Sequence, residues 1–146
     1  MKENQENAVW QRVLAQPEIS PDRDLHGLIR ESAGLAAIYR RLAGNLTGRG
    51  KLLARALLEE ELATGEILRG IAALSGHRAE GLKLWEPLTE GGSRLLEKCY
   101  HRTRHCQSDC MARSLDPEFG EVFRSLADRE AEQCTRIAQL LGRLGN

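Results

Sequence analysis

Two stretches of the chain decide its fold, Leu57–Ile71, LLEEELATGEILRGI, and Leu126–Leu140, LADREAEQCTRIAQL. Aligned without a gap, they place Glu61 on Glu130 and Thr64 on Gln133. In each stretch apolar residues recur every three or four positions, which is typical of an amphipathic helix. A glutamate on the apolar side is followed, three residues later, by a neutral polar residue. The chain therefore contains two related helices, each with a polar interruption in its apolar stripe.

The composition is that of a globular helical protein. A chain of 146 residues that is 41% hydrophobic suits a single domain with a core. Lys plus Arg and Asp plus Glu balance at 21 each, so the overall charge gives no support for a nucleic-acid or membrane partner. The N-terminal region is too polar for a signal peptide and no apolar run could span a membrane, so we expect a cytoplasmic protein.

Helix-start and turn signals divide the chain into four long helices. Ser20-Pro21-Asp22 and Asp116-Pro117-Glu118 are typical of helix N-termini, and NLTGRG at 45–50 is typical of a tight turn. The expected helices run from Ser20 to about Leu46, from about Lys51 to Leu74, from Gly91 or Ser93 to Ser114, and from Asp116 to about Leu144. A short helix over Glu6–Gln16 is expected to pack on them as a cap.

The expected fold is a single all-α domain, a four-helix bundle of two helical hairpins with a long crossover and a short N-terminal helix. Its parts are the cap segment 1–19, the first hairpin 20–74, the crossover 75–88 and the second hairpin 89–146. Thirteen residues lie between Leu74 and Leu88. Extended, they reach about 45 Å, whereas a helix of about 24 residues is about 36 Å long. The connection is therefore long enough to cross the bundle.

The helical spacing predicts which residues form the core and which polar residues interrupt it. The expected core stripes are Leu25, Leu28, Leu35, Tyr39, Leu42 and Leu46; Leu53, Leu57, Leu68, Ile71 and Leu74; Leu96, Cys99, Cys106 and Cys110; and Val122, Phe123, Leu126, Ile137, Leu140 and Leu144. The polar residues on these stripes are Ser32, Glu61, Thr64, Thr103, Glu130 and Gln133.

From Asp22 to Leu144 this arrangement resembles the ferritin-like superfamily, and within it the small rubrerythrin-like di-iron domains. Such sites take one Glu from each of two helices and a Glu-x-x-His motif from each of the other two. The resemblance implies that Tyr39 is the family tyrosine of the first helix, with Ser32 standing where a ligand glutamate is expected. In the third helix Thr103 takes the glutamate position and Cys110 the tyrosine position.

In the second and fourth helices the resemblance leaves Glu61 and Glu130 as remnant ligand positions, with Thr64 and Gln133 in place of the histidines. The neutral replacements are poor iron ligands. The resemblance therefore implies a bundle that has lost di-iron binding and oxidoreductase activity and acts as a non-catalytic structural or partner-binding protein, a homodimer by analogy. The alternative is a metal-binding oxidoreductase or iron-handling protein with a non-standard site.

Two positions are possible for Glu61 and Glu130. Each could lie half exposed on an acidic helix face, or both could face the bundle centre. We favour the second, because both lie on the apolar stripe. Ser32, Thr64 and the other two neutral residues would then hydrogen-bond the carboxyls, at least one of which would titrate above its ordinary pKa.

The four cysteines leave several interpretations open. Cys99 and Cys106 are about 10.5 Å apart along a helix, so one ion cannot take both. His101 and His105 lie on another face. Core packing is favoured for Cys99, Cys106, Cys110 and Cys134, because cysteine behaves as a small apolar residue in protein cores. A metal site, and a redox-responsive scaffold that uses the thiols, are the other interpretations.

Overall fold

The computed structural model describes residues 21–76 and 91–144, with side chains from residue 25 onward. The helices are α1 (Pro21–Asn45), α2 (Gly48–Leu74), α3 (Gly92–Ala112) and α4 (Gly120–Leu144), with a 3-10 turn at Arg113–Leu115. The predicted all-α class with four long helices is confirmed. The helix expected over Glu6–Gln16, and most of the expected crossover, lie outside the described residues. No helix in the described part of the chain is both long and apolar enough to span a membrane.

The four helices form a bundle in which each helix has two neighbours. The most extensive packing is α1 against α2 and α3 against α4, which are the two expected hairpins. The hairpins meet through α2 with α4 and through α1 with α3. Among the described residues, the diagonal pairs α1 with α4 and α2 with α3 do not approach each other closely.

Two apolar clusters fill the bundle, and we call them the upper and the lower cluster. The upper cluster contains Leu35, Ile38, Tyr39, Leu42, Ala43, Ala54, Leu57, Leu95, Leu96, Cys99, Ile137 and Leu140. The lower cluster contains Leu25, Leu28, Ile29, Leu68, Ile71, Ala72, Cys106, Cys110, Phe123, Leu126 and Ala127.

The clusters show the directions of the helices. The upper cluster takes the C-terminal halves of α1 and α4 and the N-terminal halves of α2 and α3, and the lower cluster takes the other halves. Ile71, near the end of α2, is in the lower cluster, whereas Leu95, in the first turn of α3, is in the upper cluster. The end of α2 and the beginning of α3 therefore lie at opposite ends of the bundle.

The fourth helix begins later than the sequence predicts. Asp116 does act as a cap, because its Oδ1 accepts hydrogen bonds from the main-chain N–H groups of Glu118 and Phe119, both at 2.8 Å. The helix itself starts at Gly120. A Cβ at Gly120 would overlap the carbonyl oxygen of Ser114, so the close turn after α3 requires glycine there. A turn thus separates the start signal from the first helical residue.

Some residues on the predicted stripes lie outside the core. Leu74 is 77% exposed and Val122 is 37% exposed. Leu74 is the last residue of α2 and extends beyond its neighbours. Val122 is next to Phe123, which is 2% exposed, and successive helical residues point about 100° apart, so only one of them faces inward. Leu46, Leu53 and Leu144 are partly buried against the upper cluster.

Candidate functional site

A layer of six buried polar side chains separates the two apolar clusters. In α1, Ser32 lies between Ile29 of the lower cluster and Leu35 of the upper cluster. In each of the other helices the polar residues likewise lie between members of the two clusters. The exposed fractions are Ser32 3%, Glu61 2%, Thr64 3%, Thr103 0%, Glu130 1% and Gln133 1%. The expectation that both glutamates face the bundle centre is confirmed, and the half-exposed alternative is wrong. We call these six residues the polar layer.

Two hydrogen bonds of the polar layer join a side chain to the main chain of a neighbouring helix. The Ser32 hydroxyl donates to the main-chain carbonyl of Glu61 at 3.2 Å. The Gln133 amide Nε2 donates to the main-chain carbonyl of Leu57 at 3.0 Å, which joins α4 to α2. Arg136 Nη1 donates to Gln133 Oε1 at 3.1 Å. Ser32 and Gln133 also hydrogen-bond the carboxyl group of Glu61, as the sequence predicts, and these bonds oppose the effect of burial on its pKa.

Four buried oxygen atoms at this level have no hydrogen-bond partner within the described residues. They are Glu61 Oε2, Glu130 Oε2, Tyr39 Oη and Thr103 Oγ1. An unpaired buried polar group costs about 1–3 kcal/mol, and an unpaired charge costs more. Two ionised carboxylates, each with one unpaired oxygen atom, are thus an unfavourable state of this layer, and protonation removes the charge.

The electrostatics of the two glutamates agree with this interpretation. Burial raises the pKa of Glu61 well above its ordinary value, and the neighbouring Glu130 carboxylate raises that pKa further. Burial raises the pKa of Glu130 to about 7, with a smaller contribution from Glu60. Burial therefore favours the protonated form of both carboxyls, and Glu130 is close to the midpoint of its titration near neutral pH.

Tyr39 connects the polar layer to the upper cluster. Its side chain is 0% exposed, and burial, followed by the nearby Cys99 thiol, raises its pKa well above the ordinary value. Burial likewise raises the pKa of Cys99 to about 12. Both groups are neutral near neutral pH, so this contact contains neither a phenolate nor a thiolate.

The other cysteines are also core residues with unreactive thiols. All four are free and buried. Burial raises the pKa of Cys110 to about 12 and raises those of Cys106 and Cys134 as well. A nucleophilic cysteine needs a lowered pKa and access to solvent, and these thiols have neither. Packing is the interpretation that their surroundings favour.

The residues present do not fit a di-iron group. The layer offers two carboxylates among four neutral polar side chains, and a di-iron site needs charged, bridging carboxylates together with imidazole nitrogens. His101 and His105 are exposed on the outer surface of α3. Within residues 21–76 and 91–144, no group of three or more His, Cys, Asp or Glu side chains is placed to hold a metal ion.

Two contributors to the layer were missed by the sequence analysis. Arg136 donates a hydrogen bond to the amide oxygen of Gln133. In the sequence, only its position three residues after Gln133, on the same face of the helix, indicates this contact. Gly65 is buried, and a Cβ there would lie 3.3 Å from Ser32 Oγ. A glycine in the middle of a helix, next to a polar stripe position, was a visible sign of close helix packing.

Comparison of the chain with protein-family models, with curated proteins and with solved structures gives no match in any of the three.

Proposed function

We propose that the chain is a ferritin-like, rubrerythrin-like bundle whose di-iron site has been replaced by a metal-free polar layer, and that it is a non-catalytic structural or partner-binding protein. One observation carries this proposal. The six buried polar residues fall at the six positions at which the family pattern expects ligands, and only two of them are carboxylates. The rest of the core at this level is apolar.

The directions of the helices support the ancestry. A bundle of two hairpins whose second and third helices begin at the same end needs a connection along its length, which is the topology of bundles with one long crossover. Here Leu57, early in α2, and Leu96, early in α3, are both in the upper cluster. An up-and-down bundle with short loops would place the beginning of α3 beside the end of α2.

The enclosure of the layer supports a non-catalytic role. Every member is at most 3% exposed, so the carboxyls have no open face towards a substrate. General acid–base catalysis requires the acid within hydrogen-bond reach of the reacting group. What the layer does provide is specificity of packing, because buried polar groups that pair across helices fix their register. The Gln133 bond to Leu57 acts in this way between the two hairpins.

A second candidate has one observation in its favour. The unpartnered Oε2 atoms of Glu61 and Glu130 are the kind of ligand that a cation takes. On this alternative the chain is a metal-binding oxidoreductase or an iron-handling protein with a non-standard site. It would need further ligands, because the other layer side chains are neutral.

Iron loading separates the two candidates. The protein is incubated anaerobically with ferrous iron, desalted and analysed for metal. We expect no stoichiometric iron in the natural chain, and two irons per chain would contradict the proposal.

Analytical ultracentrifugation tests the accompanying proposal that the protein is a homodimer. A monomer at micromolar concentration would contradict it.

A variant with the ligands restored tests the ancestry by itself. Ser32→Glu, Thr64→His, Thr103→Glu and Gln133→His together would rebuild the complete ligand set at the level of Glu61 and Glu130. If the helices have the ferritin-like arrangement, this variant takes up two irons per chain while the natural chain takes up none. A folded restored variant that takes up no iron would contradict the family geometry.

A further inference from the structure

The overall balance of charge conceals an uneven distribution over the bundle. Around the upper cluster, residues 39–57, 91–99 and 139–144 contain eight Lys or Arg and only one acid, Glu97. Around the lower cluster, residues 25–31, 66–76 and 104–129 contain six Lys or Arg and seven Asp or Glu. The difference arises because helix ends that are far apart in the sequence meet at the upper end. We call that surface the basic end.

Most of the basic side chains are on the surface. The basic end contains Arg40, Arg41, Arg49, Lys51, Arg55, Arg94, Lys98 and Arg143, of which all but the half-buried Lys51 are exposed. Six of the eight are arginines. The guanidinium group binds phosphate oxygens through two parallel hydrogen bonds and is more weakly hydrated than an ammonium group, so arginine suits phosphate recognition.

The helix backbones at this end add to the positive potential. Both α2 and α3 begin here, at Gly48 and Gly92, and neither has an acidic residue in its first turn. No atom of the described residues lies within 4 Å of a Cβ built at Gly48 or Gly91. The partial positive charge of a helix N-terminus is about half an elementary charge, which is small beside the side chains.

The basic end is poor in the features that other partners require. Among the described residues, Leu52 is the only large apolar side chain at this end that is strongly exposed, at 66%. A typical protein–protein interface has an apolar or aromatic centre, and stable docking to a membrane usually combines basic charge with inserted apolar groups. Within the described part of the chain this surface therefore offers mainly charge, which fits a partner that is recognised through charge.

We propose that the basic end is a binding surface for the phosphate backbone of nucleic acid, without sequence preference. Neighbouring helices lie about 8–10 Å apart, so four helix ends cover about 20 Å. Duplex DNA carries one negative charge per about 1.7 Å of its axis, so several phosphates face a surface of this width. No described helix or loop projects from this end to enter a groove and read bases. This proposal goes beyond the role in the previous subsection and does not depend on the state of the polar layer.

Binding of the full chain to a fluorescein-labelled DNA duplex of arbitrary sequence, followed by fluorescence anisotropy, tests the proposal. We expect binding at about 50 mM salt that weakens steeply towards about 200 mM, with the logarithm of the association constant linear in the logarithm of salt concentration. Substituting Arg49→Gln, Arg94→Gln and Arg143→Gln together should raise the Kd by about tenfold or more and reduce the salt slope by up to about 3.

The matched control removes the same charge from the other end. Arg30→Gln, Arg69→Gln and Arg124→Gln change three exposed arginines around the lower cluster, and we expect the Kd to stay within about twofold of the natural value. Far-UV circular dichroism verifies that both variants are folded.

Equal losses of DNA affinity in the two variants, or no DNA binding at low salt, would overturn the proposal. Tighter binding to phosphatidylserine vesicles than to the duplex would assign the surface to membranes, and competition by polyglutamate as effective as by DNA would assign it to acidic proteins. Both outcomes reject nucleic acid.

Discussion

The two hairpins share a spacing but differ in what fills it. In the first hairpin Glu61 follows Ser32 by 29 positions, and in the second Glu130 follows Thr103 by 27 positions. They run in opposite directions, so Leu35 lies in the upper cluster while Cys106, its counterpart by spacing, lies in the lower cluster. The polar layer is the one level at which the two repeats coincide. Both hairpins therefore place their polar residues at the same level of the bundle, whereas the apolar residues at matching positions of the two hairpins lie in different clusters.

The polar contacts of the hairpins differ in the same way. In the first hairpin Ser32 bonds within its own pair of helices, to Glu61. In the second, the hydroxyl of Thr103 has no partner in the described part of the chain, while Gln133 reaches across to Leu57 of the other hairpin. The first hairpin therefore satisfies its own polar residue, and the second contributes the bond that fixes the register between them.

The largest expected difference between the hairpins is in the stability that is lost when a buried apolar side chain is shortened. Leu35→Ala should lower the free energy of unfolding by roughly 2–5 kcal/mol, because it leaves a cavity in the upper cluster. Cys106→Ala at the matching position removes one sulfur atom and should cost only about 1 kcal/mol. Urea unfolding followed by circular dichroism measures both. Equal losses would mean that the thiols of the second hairpin pack as tightly as the leucines of the first.

The next largest effect is the dependence of the free energy of unfolding on pH that arises from Glu130. Its pKa rises from an ordinary 4.5 to about 7, so the folded chain holds a proton that the unfolded chain releases. The free energy of unfolding should therefore fall as pH rises from about 4.5 to about 7, by on the order of 3 kcal/mol from Glu130 alone. Glu61, whose pKa is also raised, contributes a further fall of the same sign. Glu130→Gln should remove the share of the fall that comes from Glu130 and should make the protein more stable than the natural chain at pH values above about 7.

Urea unfolding at mildly acid and mildly alkaline pH provides this measurement. Glu121→Gln, at an exposed position of the same helix, is the matched control and should leave the natural pH dependence intact. Glu61→Gln sharpens the comparison of the two hairpins, because the pKa of Glu61 is also raised and this substitution should remove the other share of the fall. An unchanged pH profile in Glu130→Gln would contradict the assignment of the titrating group.

A pair of substitutions at the hydroxyl positions should act with opposite signs. Ser32→Ala removes a buried hydrogen bond and should cost about 1 kcal/mol. Thr103→Val replaces a hydroxyl that has no well-aligned partner among the described residues, its neighbour being the Tyr39 hydroxyl, with a methyl group of similar size. It should leave stability unchanged or raise it by up to about 1 kcal/mol. Thermal unfolding of both variants is a sufficient measurement. A clear loss in Thr103→Val would show that its hydroxyl does have a partner in solution.

The smallest expected effect concerns how closely α1 and α2 approach each other. Gly70→Ala meets nothing within 4 Å and should raise stability by about 0.5–1 kcal/mol, because it restricts the unfolded chain. Gly65→Ala should gain less, since its methyl group would lie 3.3 Å from Ser32 Oγ. In the second hairpin Cys134 occupies the position that matches Gly65, and its larger side chain is buried there. An equal gain in stability from Gly65→Ala and Gly70→Ala would mean that the first hairpin, like the second, has space for a side chain at this position.

Much of the fold could be predicted because one periodicity runs through all four helices. Leu57, Leu68, Ile137 and Leu140 are buried as their spacing indicates. Errors occurred where a position depends on neighbours that the sequence does not specify. The register at the start of α4 is one example, because the cap at Asp116 and the turn to Gly120 are set by contact with Ser114.

The candidate site could be predicted in its residues but only in part in its bonds. Burial of Glu61 and Glu130 follows from their place on the apolar stripe, and so does the pairing of Ser32 and Gln133 with the Glu61 carboxyl. The bonds from Ser32 and Gln133 to main-chain carbonyls do not follow, because a side chain at a helix interface can reach either a carboxyl or a main-chain carbonyl of its neighbour. Differences of less than 1 Å decide between these, and helical spacing does not resolve them.

By itself, the sequence determined the four helices, their pairing into hairpins and the level of the polar layer, since each depends on spacing along one chain. Only the tertiary structure decided which oxygen atoms are left without partners and where the charges collect. Lys and Arg balance Asp and Glu over the whole chain, yet among the described residues the basic end carries eight of the former and one of the latter. The physical reason is topological. Helix ends far apart in the sequence meet in the folded bundle, and a surface potential is the sum of charges that are close in space.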